Sequence, residues 1–181
     1  MTLKEMKEKV YRLIEELSDT ETQLTDDPDY EKKINTCINI VQNELARIKK
    51  IPTYEEYDTN SGNVMELPED CYQIFKIKGC MYEILGNEIH FDKDYLGEVS
   101  IYYYKYPTKI TEETNDEEYE FELSQDALEI MPFGVAGDML KSDPSTDFGA
   151  VYSNRYNELK QYLDSRNNAG VIYIDTSEAI D

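Results

Sequence analysis

Val99-Ser-Ile-Tyr-Tyr-Tyr-Lys-Tyr-Pro107 and, after an acidic connection, Ala127-Leu-Glu-Ile-Met-Pro-Phe-Gly-Val-Ala-Gly-Asp-Met-Leu140 are the stretches whose reading decides the fold. The first alternates in the period of a strand, with Val99, Ile101 and Tyr103 on one face and Ser100, Tyr102 and Tyr104 on the other. The second is apolar on all sides and rich in small residues, as a helix at the centre of a helical body is. Pro132 falls inside it, which predicts a kink or a break there. Gly134, Ala136 and Gly137 allow another helix to approach closely.

Upstream of that strand lie shorter ones. Tyr72 to Lys78 alternates, with Tyr72, Ile74 and Lys76 on one face and Gln73, Phe75 and Ile77 on the other. Two apolar runs, ending at Leu85 and starting at Glu88, flank Gly86-Asn87, a two-residue hairpin signal. Four short strands give a small antiparallel sheet, too small to stand alone, which must pack on helices.

Two helices precede this block. Leu3, Met6, Val10, Leu13, Ile14 and Leu17 form one stripe, with Thr2 and Glu5 spaced as a capping box. Asp27-Pro28 opens a second helix, whose stripe is Tyr30, Ile34, Cys37, Ile38, Val41, Leu45 and Ile48. Arg47, Lys49 and Lys50 suit its negative end, and Pro52 stops it. Residues 53–66 read as a loop longer than usual, and long loops often carry function. A fourth helix is predicted over about 145–166, with Phe148, Val151, Tyr152, Arg155, Tyr156, Leu159, Tyr162 and Leu163 on one side.

The expected fold is therefore α+β and mostly helical: a bundle of about four helices carrying a small antiparallel β-insert and ending in an extended C-terminal stretch. Its parts are the N-terminal helices and loop (1–66), the β-insert (67–107), the acidic connection and C-terminal helices (108–166) and the extended stretch (167–181), all in one structural domain.

Composition narrows function mainly by exclusion. With 39 acids against 18 bases in 181 residues, the formal charge is −21, which repels DNA and anionic membranes. No apolar run approaches the ~20 residues needed to cross a bilayer, so no membrane role is expected. The first residues lack a signal peptide's apolar core, which predicts synthesis in the cytoplasm. Cys37, Cys71 and Cys80 form no C-x-x-C pair, and His90 is the one histidine. Neither a nucleophilic triad nor a Cys/His metal site can be assembled from such a set. Phosphate-binding glycine motifs are missing too. The chain reads as a non-enzyme with no cofactor and no metal. Sixteen tyrosines suit either strands or half-buried interfaces.

The order of these elements, rather than any one motif, resembles a known family. Glu66-Leu-Pro-Glu-Asp-Cys-Tyr-Gln-Ile-Phe-Lys-Ile77, Gly86-Asn-Glu-Ile-His-Phe-Asp92, Val99-Ser-Ile-Tyr-Tyr-Tyr-Lys-Tyr-Pro107, Met131-Pro-Phe-Gly-Val-Ala-Gly-Asp-Met-Leu140 and Tyr152-Ser-Asn-Arg-Tyr-Asn-Glu-Leu-Lys-Gln-Tyr-Leu163 carry the likeness. Together they resemble the head–tail connector, or adaptor, proteins of tailed bacteriophages. The first helix and the 53–66 loop are less typical of that family.

The resemblance implies a structural virion protein. It would form a ring of about twelve copies between the portal and the tail, through which DNA passes without specific binding. The implied partners are the portal protein, neighbouring copies and a tail-side protein. Carried onto this chain, Val171, Ile172, Tyr173 and Ile174 become portal or neighbour contacts. Tyr54, Tyr57, Gly86 and Asn87 become tail-side or inter-subunit contacts. A conduit for DNA gains from an acidic lumen, so Glu112, Glu113, Asp116, Glu117 and Glu118 are candidate channel residues, although plain solubility explains them equally. Two further readings stay open. One is a stopper, tail-completion or regulatory interaction module. The other is an acidic DNA mimic.

Overall fold

A computed structural model describes residues 1–15, 24–25, 28–141 and 147–163. Helix α1 (Leu3–Leu13) opens with the expected capping box. Thr2 Oγ1 accepts from Glu5 N at 3.2 Å, and Glu5 Oε2 accepts from Thr2 N at 3.0 Å. Helix α2 runs Pro28–Lys49. It does not lead into a loop. Lys50 turns the backbone at φ +35° and strand β1 (Ile51–Asp58) starts at once, followed by a single 3-10 turn (Thr59–Ser61) and strand β2 (Val64–Glu66). Strands β3 (Cys71–Lys78), β4 (Tyr82–Leu85), β5 (Glu88–Phe91) and β6 (Glu98–Lys105) come next. Helices α3 (Gln125–Leu140) and α4 (Phe148–Lys160) complete the order.

The expectation of a mostly helical bundle with a small insert is overturned. Among the described residues the fold is mixed α+β, with four helices and two three-stranded antiparallel sheets. One sheet has the order β1-β6-β3 and the other β2-β5-β4. The missing strands were hidden in residues 51–66. As an edge strand, β1 pairs on one side only, so Pro52 is tolerated and its outer face carries no apolar alternation. Pro52 thus belongs to a strand and does not terminate α2.

The sheets meet face to face. Ile89 and Phe91 of β5 pack with Val99, Ile101 and Tyr103 of β6 in a small core of their own. The Tyr57 ring of β1 stacks on Phe91 at 5.4 Å, bridging the two layers. The β4–β5 hairpin closes with Leu85 opposite Glu88, leaving Gly86 and Asn87 as its turn, and Gly86 takes the φ of +64° that such a turn needs.

A larger core joins the helices. The α3 helix is central and stays helical through Pro132; its interior positions from Ala127 to Leu140 are almost all buried. Close approach to α4 depends on the small residues. A Cβ at Gly137 would stand 3.0 Å from Ser153 N, and one at Gly134 would stand 3.0 Å from both Val41 Cγ1 and the Tyr156 ring. The α4 helix buries Tyr156 and half-buries Tyr152 and Leu159. The predicted single apolar side splits here, because Phe148 and Val151 face outward.

A polar clasp ties the segment after β6 to α2. Buried Gln42 donates from Nε2 to Asn39 Oδ1 (2.8 Å) and to Thr108 O (3.2 Å). Asn39 in turn grips the backbone of Ile110, accepting from its N at 2.9 Å and donating to its O at 2.7 Å. Tyr119 Oη donates to Thr108 O at 2.7 Å, and burial pushes this phenol up to about 12. Lys105–Glu122 (2.6 Å) and Lys49–Asp126 (2.6 Å) close the same seam.

Candidate functional site

The outer face of the β1-β6-β3 sheet is the most organised exposed surface. Cross-strand register sets it up. Tyr102 of β6 opposes Tyr54 of β1 and Lys76 of β3, and Tyr104 opposes Pro52 and Gln73. The β3 strand slips register twice, between Cys71 and Gln73 and between Ile74 and Lys76. Each slip inserts one extra residue, and both are aromatic: Tyr72 and Phe75. A bulge re-aims a side chain, and here both rings arrive on the outer face. Simple alternation had placed Tyr72 with Ile74 and Phe75 with Ile77. The bulges undo that assignment, sending Ile74 and Ile77 inward to the sheet core and the two rings outward.

The result is a continuous aromatic ladder. Tyr54 stacks on Tyr102 at 5.8 Å, Phe75 on Tyr104 at 4.4 Å, and Tyr72 lies 5.0 Å from Tyr106. Cations lie over these rings. Lys78 Nζ stands 5.2 Å above Tyr102, Lys50 Nζ 4.6 Å above Tyr104 and Arg47 Cζ 5.5 Å above Tyr106. Arg47 Nη2 also donates to Tyr106 Oη at 2.6 Å. Tyr72 Oη donates to Ala46 O at 3.1 Å, locking the ladder to the end of α2. Burial, then the neighbouring phenols Tyr104 and Tyr106, raise the Tyr72 phenol above its ordinary value. Tyr54 is 61% exposed and Phe75 44%, so the ladder is open to a partner.

A second exposed surface is apolar. Sheet edges invite pairing, and three of the four are blunted. The β1 edge holds Pro52, Glu55, Glu56 and Asp58; the β3 edge is bulged and carries Lys76 and Lys78; β2 has three residues. The β4 edge reads Tyr82-Glu-Ile-Leu85 with every residue exposed, and Met81 beside it is 77% exposed. A third surface is the outer side of α4, with Phe148, Val151 and, just beyond, Tyr162.

The residues singled out in the sequence fall as follows. Tyr54 joins the ladder, whereas Tyr57 turns inward and donates to Val64 O at 3.0 Å. Gly86 and Asn87 sit at the exposed hairpin tip beside β4. The acidic connection is a strap on α1. Lys4 N donates to Asp116 O and Leu3 N to Tyr119 O. Asp116 pairs with Lys7 at 2.7 Å and Glu117 with Lys4 at 2.9 Å. The Lys4 bond and charge hold the Glu117 carboxyl below its ordinary value. Glu112, Glu113 and Glu118 project into solvent. Val171, Ile172, Tyr173 and Ile174 lie outside the described residues.

Among the described residues no constellation for catalysis stands out. Among the described residues no group of three or more His, Cys, Asp or Glu is placed to hold a metal ion. His90 Nε2 meets Glu88 Oε2 at 2.9 Å on the solvent side of β5. A cavity of about 480 Å³ lies between α2 and residues 109–116. It mixes Lys7, Lys32 and Lys109 with Glu31, Glu112 and Asp116, and favours neither sign of ligand. Burial raises the Cys37 and Cys71 thiols, which makes them poor nucleophiles. No helix among the described residues is long and apolar enough to cross a membrane.

The ladder was missed in the sequence because it exists only across strands. Tyr102 and Tyr104 were visible as strand residues, but their partners Tyr54 and Phe75 came from a stretch read as loop and from a bulge. No protein-family model matches the chain, and a search of the curated proteins finds no match.

Proposed function

We propose that this chain is a structural virion protein: a head–tail connector that assembles as a ring of copies between the portal and the tail of a bacteriophage. The ring is made in the host cytoplasm, and DNA passes through it without specific binding. One observation carries the reading beyond the sequence resemblance. The protomer exposes two unlike apolar surfaces, the β4 edge with Met81, Tyr82, Ile84 and Leu85, and the outer side of α4 with Phe148 and Val151. A ring closes through a heterologous contact, in which each subunit offers two different patches. Apolar side chains so exposed on a chain of charge −21 are costly unless something covers them.

Other features fit. Glu112, Glu113 and Glu118 keep their carboxylates in solvent, as the wall of a DNA conduit requires, while Asp116 and Glu117 are partly offset by Lys7 and Lys4. The exposed Gly86-Asn87 tip remains the proposed tail-side or inter-subunit contact, and the 171–174 run the proposed portal or neighbour contact.

The test is mass by size-exclusion chromatography with light scattering, with and without the portal protein encoded in the same genome. A stoichiometric ring that migrates with the portal, and is lost on deleting residues 171–181, is the expected result. A protomer that stays separate from the portal at every salt concentration refutes the proposal.

A further inference from the structure

We infer that the open edge of β4 is completed by a strand from an adjacent copy of this chain, the run Val171-Ile-Tyr-Ile174. The inference rests on the connector reading for its premise that copies associate in a ring, and it adds which segment meets which edge.

The β4 edge is unfinished in two respects. Its backbone is unpaired on the side away from β5, because the sheet order is β2-β5-β4. Its side chains are also uncovered on the core face. Tyr82 stands opposite Phe91 and Ile84 opposite Ile89, and residues directly opposite across two strands point to the same face. Ile89 and Phe91 are buried, yet Tyr82 and Ile84 are 44% and 45% exposed. On the other face Leu85 is half-exposed, and Met81 leads into the strand from solvent. A further strand alongside β4 satisfies the backbone and extends the apolar face past Tyr82 and Ile84. A shallow hollow of about 420 Å³ beside Met81, Tyr82 and Phe91 leaves room for one of its side chains.

The chain holds a segment of matching chemistry. Val171-Ile-Tyr-Ile174 lies outside the described residues, and it is the one run of four consecutive apolar residues there. It is as long as β4 and is β-branched or aromatic at every position. It is apolar at both parities, as the β4 edge is at Tyr82, Ile84 and Leu85. Charge selects the same two segments. Copies each carrying −21 repel, so they meet best where charge is sparse. Residues 167–174 carry no charge, and from Gly79 to Asn87 the only charged residue is Glu83. Backbone hydrogen bonds between strands need no charge complementarity.

An adjacent copy is the fitting source. The described chain ends at Leu163 on the helical body, where Lys160 pairs with Glu44 of α2 at 2.5 Å. Residues 164–170 span up to ~25 Å when extended, enough to step from one copy to the next. Pairing of β4 with the β4 of another copy is isologous and stops at a dimer. A strand of one copy on the edge of the next is heterologous and repeats around a ring.

Two measurements on the full-length protein test this. In the first, a benzophenone-bearing phenylalanine replaces Met81, which flanks the edge without belonging to it. Isotope-labelled and unlabelled copies are mixed, alone and with the portal protein, and crosslinked peptides are identified after irradiation. In the second, proline replaces Val171, Ile172, Tyr173 and Ile174 one at a time. Light scattering follows mass against concentration, with circular dichroism to confirm folding. Proline removes one backbone donor, so its cost alternates with position along an added strand but not along a segment held by side chains alone. The expected result is a crosslink between labelled and unlabelled copies that joins position 81 to the peptide holding residues 171–174. Proline at alternate positions should raise the dissociation constant about tenfold or more. A crosslink to residues 171–174 confined to single chains overturns docking between copies, because each chain then closes its own edge. A crosslink to residues 81–85 of another copy overturns it in favour of pairing between two β4 edges. A ring that forms without the crosslink to 171–174, or that responds equally to proline at all four positions, overturns the added strand and leaves the connector standing. A protomer that stays single with and without the portal overturns both.

Discussion

Gly137→Ala tests the packing at the heart of the helical body. The added methyl would lie 2.5 Å from Ser153 Oγ, 3.0 Å from Ser153 N and 3.2 Å from Ser153 Cα. A hydroxyl can rotate away, but the backbone atoms move only if α4 moves with them. Carbon atoms in comfortable contact sit ~3.5–4.0 Å apart, so α4 must retreat by a few tenths of an ångström. Overpacking of this kind costs about 1–3 kcal/mol. Replacing a helical glycine by alanine returns about 0.8–1.0 kcal/mol of backbone propensity. The difference is a net loss of up to about 2 kcal/mol, which for a domain of this size lowers Tm by up to roughly 8 °C. Urea unfolding of the variant measures it directly. The double variant Gly137→Ala, Ser153→Ala removes the closest contact and recovers part of the loss, with non-additivity that single substitutions far apart do not show. A Gly137→Ala protein more stable than the wild type by the full ~1 kcal/mol of helix propensity would mean that α3 and α4 do not meet at this spot.

Three further outcomes are expected. Asn39→Ala strips the Ile110 N–H and C=O of their shared partner and lowers stability by about 2–3 kcal/mol in urea unfolding; a neutral result would mean that water satisfies both groups. The acid limb of stability depends on Glu122 and Asp126. Burial works to raise both carboxyls, but bonds from Lys105 and Thr108 to Glu122, and from Lys49 and Ser124 to Asp126, outweigh it and hold both below their ordinary values. A folded-state pKa that is depressed gives stability that is present above the unfolded values, ~4.3 and ~3.9, and is lost as pH falls through the folded ones. Glu122→Gln therefore flattens the fall in Tm below about pH 4.5, and an unchanged slope would remove that carboxylate from the account. Ile84→Lys blunts the exposed β4 edge; the protomer should keep its Tm and lose self-association, and association at wild-type strength would clear this edge of any role.

The parts of the fold legible in the sequence are those written in local chemistry. The Thr2–Glu5 box, Pro28 at the head of α2 and the Gly86-Asn87 turn each satisfy a backbone requirement within a few residues. What stayed hidden was non-local. The β1 strand shows Ile51, Thr53 and Tyr57 to the interior, but Pro52, Glu55, Glu56 and Asp58 read as a loop until β6 is known to pair with it. The α4 helix mixes buried Tyr156 with exposed Phe148 and Val151, and nothing in their spacing says which apolar residues are buried. Candidate contacts suffered the same way: Tyr54 and Tyr57 were singled out together, yet one residue-parity step separates an exposed ring from one bridging two sheets.

The charge of −21 and the open ladder constrain each other. A protein that worked alone could spread its cations evenly among its carboxylates and keep its rings covered. Here the lysines of α1 hold the acidic strap in place, those at the end of α2 and in β6 tie these elements to Asp126 and Glu122, and Lys78 lies over a ring that faces outward. Removing the strap's anchors should loosen α1. Reversing Lys78 should leave the fold intact, because it touches only an outward ring among its described contacts. Ladder and strap therefore separate in experiment: Lys7→Glu sets like charge against Asp116 and lowers Tm, whereas Lys78→Glu leaves Tm unchanged. A fall in Tm with Lys78→Glu as large as with Lys7→Glu would show that Lys78 serves the fold.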